Sequence, residues 1–113
     1  MIDAIVGHLV GDYLLQDDWM AKEKKIKNIP CLVHCLIWTL CVCLFGHIVN
    51  PFAIFFLFIT HFIQDRTSII RQYMSLRQEG FATGPLSPWS IVVVDNVWHI
   101  VEIWIAYKFI GIN

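Results

Sequence analysis

The sequence predicts an all-α integral membrane protein, one domain of four helices packed as a bundle. Three observations lead there. Of its 113 residues, 58% are hydrophobic, above the roughly 45–50% of ordinary soluble chains, and the mean hydropathy is +0.64. The apolar residues come in long blocks separated by short polar connections. Within the blocks, the ionisable interruptions recur at i, i+4, the spacing that puts two side chains on one helix face.

The first helix is expected over roughly residues 2–20. Its apolar part, MIDAIVGHLVGDYLL, is short for a span, so it tilts, extends or re-enters. It lacks the basic start of a removable signal and is read as mature structure. The second helix, residues 30–49, opens on Pro30, which suits a first helical turn. The third, residues 51–78, opens on Pro51 and leaves the apolar run as an amphipathic piece. The fourth, residues 88–110, opens on Pro88. A span needs about 20 residues, which the second and fourth helices supply.

The connections orient the bundle. Lys22, Lys24, Lys25 and Lys27 follow the first helix, and Arg66, Arg71 and Arg77 follow the apolar part of the third. Seven of the eight Lys/Arg residues therefore sit in two connections on one side of an up-down bundle. That side is expected to be cytoplasmic. Lys108 snorkels to the other side, where His47 is also expected. Trp19 and Trp89 suit the cytoplasmic interface and Tyr107 the outer one. The net charge of −1 gives no global field for nucleic acid. Four cysteines, Cys31, Cys35, Cys41 and Cys43, lie in one apolar stretch without the paired CxxC pattern of a zinc knuckle, and are expected to pack as small apolar residues.

The chemistry lies in the interruptions. The first helix carries His8 and Asp12, the third His61 and Asp65, the fourth Asp95 and His99. The order reverses in the fourth helix, and so does its direction. In all three, Asp therefore lies nearer the cytoplasmic side and His one turn deeper. His34 of the second helix enters at a similar depth. A central Asp costs about 2.5–3.5 kcal/mol in a membrane even on lenient scales, so such groups face a bundle interior. Packed carboxylates repel. One or two divalent ions would remove the conflict, and mixed His/carboxylate donors from facing helices are how bundles build metal sites. The donor set His8, Asp12, His34, His61, Asp65, Asp95 and His99 suits Zn, Fe or Mn. A proton relay and a purely structural polar network remain open beside it. Gln16, Gln64 and Asn96 are expected to orient ligands. Glu102, one turn beyond His99, is a further ligand, a general base or an interfacial charge.

The halves are weakly alike. His-x-x-x-Asp recurs in the first and third helices, and LVHCLIW in the second stands against VWHIVEIW in the fourth. This suggests a two-plus-two helical repeat with the site at its interface.

The run GHLVGDYLLQDDWMAKEKK, then Leu-Val-His, ITHFIQD and VVDNVWH, resembles the domain of unknown function 3307 family, small bacterial and phage membrane proteins. The likeness covers nearly the whole chain. Arg66 stands where the family often has Lys, and Asn96 where Gln is common. The resemblance implies a multi-helix protein of the bacterial inner membrane, bacterial or phage-encoded, and supplies no reaction. A looser likeness, of the His-x-x-x-Asp type alone, is to membrane-bound metal-dependent hydrolases.

The reading that follows is a metal-dependent hydrolase acting on a lipid or phosphate ester at the cytoplasmic leaflet, with Asp12, Asp65 or Glu102 as the catalytic base. Membrane lipid is the expected partner, and a homo-oligomer is left open. The alternatives are a non-catalytic ion- or proton-handling protein and a structural or regulatory protein stapled by metal.

Overall fold

A computed structural model describes all 113 residues, 1–113, and contains helices and no strands. Helix α1 (Ile2–Leu9) passes into a π-helical turn, Val10–Leu14, closed by the Leu15 N–H donating to the Val10 carbonyl at 3.0 Å. The expected helix over residues 2–20 ends here. The Asp17 carboxylate accepts from the Met20 N–H at 2.8 Å and starts a separate helix, α2 (Asp18–Glu23). An N-cap of this kind needs a non-helical backbone at Asp17, so one continuous helix is ruled out locally.

Helix α3 (Asn28–Gly46) begins two residues before Pro30 and stops at His47, whose left-handed backbone (φ 53°) turns the chain. Asn50 then caps α4 (Pro51–Arg66), accepting from the Phe52 N–H at 2.9 Å. The third expected helix does not run straight to residue 78. It bends by 72° at Thr67–Ser68 into α5 (Ile69–Arg77). The last carbonyls of a helix lack partners. Here the Lys25 ammonium donates to three of them, Gln64, Asp65 and Thr67, at 3.2–3.4 Å. Arg66 donates in turn to the Lys25 and Ile26 carbonyls and to Asn28 Oδ1. The two basic connections are thus tied together at one end of the molecule.

A short α6 (Glu79–Thr83) precedes α7 (Trp89–Ile105), which closes in a second π turn, Ala106–Ile110. At this far end the Ile112 carbonyl accepts from the N–H groups of Val49 and Asn50. Each half of the chain thus has the same order: a helix, one or two short helices, a long helix.

The tightest packing is between α1 and α3, and small residues allow it. A Cβ on Gly7 would sit 2.6 Å from the Cys41 carbonyl oxygen, and one on Gly11 would sit 3.0 Å from the Trp38 Cα. Ala4, Trp38, Val42, Leu57 and Ile103 form the main core. A smaller one, Ile70, Met74, Ala82 and Val94, joins α5, α6 and α7. The four cysteines are free, and all but Cys43 are buried.

The distribution of polarity is inverted relative to a soluble bundle. His8, His34, His61 and His99 are fully buried, while Leu36, Leu40, Leu44, Phe55, Val97 and Trp104 stand exposed on the outer faces. Helices Asn28–Gly46 and Trp89–Ile110 are long and apolar enough to cross a membrane. The bent pair of α4 and α5 makes a third if counted as one span.

Candidate metal centre

Four helices bring the seven expected residues together. His8 leaves α1 and Asp12 the π turn that follows it. Such turns recur at functional sites because the extra residue re-aims a side chain. His34 comes from α3, His61 and Asp65 from α4, Asp95 and His99 from α7. Three donor groups form: Asp12, His34, His61 and Asp65; His8, Asp12 and His99; and Asp65, Asp95 and His99. Asp12 and Asp65 join the first group to the others, and His99 is common to the second and third.

The first group is the most compact. The Nε2 atoms of His34 and His61 are 3.1 Å apart. Asp65 Oδ2 lies 3.0 Å from the first and 3.2 Å from the second. Asp12 Oδ1 lies 3.2 and 3.7 Å from them. Four donors at bonds of about 2.0–2.1 Å around a tetrahedral ion would be separated by about 3.3–3.4 Å. These atoms fit that spacing.

Charge and protons point the same way. Asp12, Asp65 and Asp95 against the one ammonium of Lys24 leave a formal −2 with neutral imidazoles. A single divalent ion balances it. Only one proton can lie between two facing Nε2 atoms, and Asp12 Oδ1 is buried with no hydrogen-bond donor. The residues present therefore fit a divalent ion. The chain could hold one in the Asp12, His34, His61 and Asp65 group or in the Asp65, Asp95 and His99 group, as the chemistry of oxygen and imidazole donors allows.

His8 differs from the other three histidines. The Asn96 amide donates to the Val92 carbonyl at 2.8 Å, which fixes its NH2 end. Its Oδ1 therefore accepts from His8 Nε2–H at 2.8 Å. His8 Nδ1 is left as the acceptor for the Trp38 indole N–H at 2.9 Å. Both ring nitrogens of His8 are thus engaged by protein, and ligation through Nδ1 would displace Trp38. The same indole stacks on His61, with ring centroids 3.9 Å apart.

The expected orienting residues take other partners. Asn96 serves His8 rather than its neighbour Asp95. Gln64 donates to Glu102, not to Asp65. Gln16 donates to the Asp12 backbone carbonyl at 3.4 Å. Glu102 is buried but belongs to none of the three donor groups. His47 is exposed at the opposite end of α3.

The family model described as protein of unknown function (DUF3307) matches residues 1–113. The chain belongs to the DUF3307 family. No curated protein and no solved structure matches it. Within this DUF3307 chain, the run from His8 to Lys25 spans the end of α1, its π turn and α2, and supplies Asp12, Tyr13, Gln16, Lys24 and Lys25 to the cleft over the donors.

Of two further residues at the site, one was foreseen only in kind: the sequence allows Asp12 and Asp65 to pair with a lysine of the connection without saying which, and Trp38 was not singled out. Lys24 reaches in from the connection after α2 and holds Asp65 Oδ2 at 2.7 Å. Burial opposes its charge, but the Asp65 carboxylate outweighs this and holds the ammonium above the ordinary lysine range. Among four clustered lysines, nothing in the sequence marks Lys24. Trp38 lies one turn beyond His34, and that i, i+4 spacing was the available signal. Above the donors a cleft of about 390 Å³ opens at the basic end, lined by Asp12, Asp65, Asp95, Lys24, Lys25 and Arg71 among others.

Proposed function

We propose that the protein is a membrane-embedded four-helix bundle and a metal-dependent hydrolase, acting on a lipid or phosphate ester at the cytoplasmic leaflet. The observation that carries the reading is the compact Asp12–His34–His61–Asp65 donor set at the base of a cleft that Lys24, Lys25 and Arg71 also line. His34, His61 and Asp65 would hold a first ion of Zn, Fe or Mn, with Asp12 beside them. Asp95 and His99 would hold a second, sharing Asp65. Bound there, such an ion supplies Lewis-acid polarisation of a phosphoryl or acyl oxygen and a lower pKa for water.

The chain's own groups do the rest. Asp12 Oδ1 has no protein donor and is the base that takes a proton from the attacking water. Lys24, already in the cleft, binds an anionic oxygen of the substrate. Trp38 and Asn96 hold His8, and through the stacked indole they hold the His61 ring. Glu102, tied to Gln64, lies outside the three donor groups, and Asp12 is therefore preferred to it as the base.

A transport role would need a polar track to the far end. Beyond the site the helices close on Ala4, Val42, Ala53, Leu57 and Ala106, which supports a one-sided centre. The test is elemental analysis of the purified protein, then turnover of lipid phosphates. We expect bound metal, lost in the His61→Ala/Asp95→Ala double variant, and turnover lost in Asp12→Asn. A folded protein without metal would sink this reading. Metal without turnover of any ester would favour a structural staple.

A further inference from the structure

A second cavity, about 370 Å³, lies along the crevice between α4 and α7, where α5 crosses it. Its rim is Ile63, Ile69, Tyr73 and Trp98, each between one-third and one-half exposed. Its inner wall is Gln64 and Glu102, both more than nine-tenths buried. Gln64 donates to Glu102, but Gln64 Oε1 and Glu102 Oε2 have no protein partner. Buried oxygens of this kind are costly unless water or a ligand meets them. The Gln64–Glu102 wall is thus a polar spot that needs water or a polar group, and the part of the cavity suited to a hydrocarbon is its apolar rim.

Its position says what it would bind. Ile70 lines this groove and also the polar cleft above the donors. The two cavities share that wall, one charged and one with an apolar rim open to the outer helix faces. The 72° bend carries α5 across the α4–α7 crevice, so Ile70 sits where the charged part gives way to the apolar part. A water-soluble phosphate would use only the first cavity. A neutral hydrocarbon would use only the second.

We propose that the groove holds a hydrocarbon chain of a phosphate-bearing lipid whose head group lies in the polar cleft. This rests on the hydrolase reading for the head group and commits that reading to an amphiphilic substrate. The oxygens of Gln64 and Glu102 meet water or a polar linkage that enters with the chain.

The experiment uses the full chain in phosphatidylcholine liposomes with phosphatidic acid carrying a diazirine in its acyl chain, followed by peptide mapping of the label. We expect label concentrated on Ile63, Ile69, Tyr73 and Trp98, competed by unlabelled phosphatidic acid and not by added phosphatidylcholine. Filling the groove with Ile63→Trp should cut that labelling about tenfold. Ile69→Trp serves as an independent blocking variant should the first not fold. Label spread evenly over the lipid-facing helices, or undiminished in both variants, overturns the proposal. Labelling requires no turnover, so the two readings fail separately. Localised label without hydrolysis of any ester removes the hydrolase alone, and hydrolysis of glycerol phosphate with scattered label removes the groove alone.

Discussion

His34 and His61 face each other across α3 and α4 with their Nε2 atoms 3.1 Å apart and Asp65 Oδ2 within 3.2 Å of both. Neither Nδ1 has a hydrogen-bond partner. Two imidazoles held in this way gain little from one another, since one shared proton is all the contact accommodates. They gain much from a common cation. If a divalent ion binds there, saturation should stabilise the folded chain by about 2.7 kcal/mol at a hundredfold excess over Kd. Thermal unfolding in detergent, with and without a chelator, reads this as a raised Tm that His34→Ala abolishes. An unchanged Tm in both proteins would count against it.

The approach of α1 to α3 depends on Gly7. A methyl group there meets the Cys41 carbonyl at 2.6 Å, whereas a methyl on Gly80 meets nothing within 4 Å. Gly7→Ala should therefore cost about 1–3 kcal/mol, as overpacking does. Gly80→Ala, in α6, should be neutral or stabilise by up to about 1 kcal/mol. Equal Tm values for the two variants would contradict the helix contact.

Trp38 makes two separable contributions. Trp38→Phe keeps a ring on His61 but removes the N–H given to His8, a loss of about 1 kcal/mol. It should also change the His8 tautomer balance. Side-chain nitrogen NMR should report His8 Nδ1 as an unprotonated acceptor in the wild type and a mixed state in the variant. A wild-type His8 protonated on Nδ1 would refute the assigned hydrogen-bond chain.

Arg71 and Glu79 clasp α5 to α6 through two hydrogen bonds of 2.8 Å. The Arg71 guanidinium holds the Glu79 carboxyl below its usual range. A carboxylate depressed on folding stabilises above its unfolded pKa and loses that contribution as pH falls through its folded value. The clasp should therefore be intact at neutral pH and open in acid. Arg71→Ala should return the Glu79 titration to an ordinary glutamate and raise hydrogen exchange in α6. Both groups are exposed, so the Tm should scarcely move.

The site was legible in part because its residues obey local rules. His8/Asp12, His61/Asp65 and Asp95/His99 share helix faces by spacing alone, and their reversed order in the last helix follows from chain direction. The roles of Gln64 and Asn96 were not legible. Their partners, Glu102 and His8, are 38 and 88 residues away, and sequence neighbourhood suggested Asp65 and Asp95 instead. Lys24 was hidden for the same reason: only the folded connection sets it, rather than Lys22, Lys25 or Lys27, against Asp65.

By itself, the sequence determined the helical class, the family, the four apolar blocks and the seven His and Asp residues that cluster, because hydropathy and the 3.6-residue repeat are properties of short segments. The tertiary structure alone decided where the helices break and what each donor meets. The Asp17 cap, the π turn under Asp12 and the 72° bend at Thr67–Ser68 divide what composition would let run on. Each competes with helix continuation by amounts too small to read from propensity. The winner is fixed by distant partners, such as the Lys25 ammonium on the last carbonyls of α4.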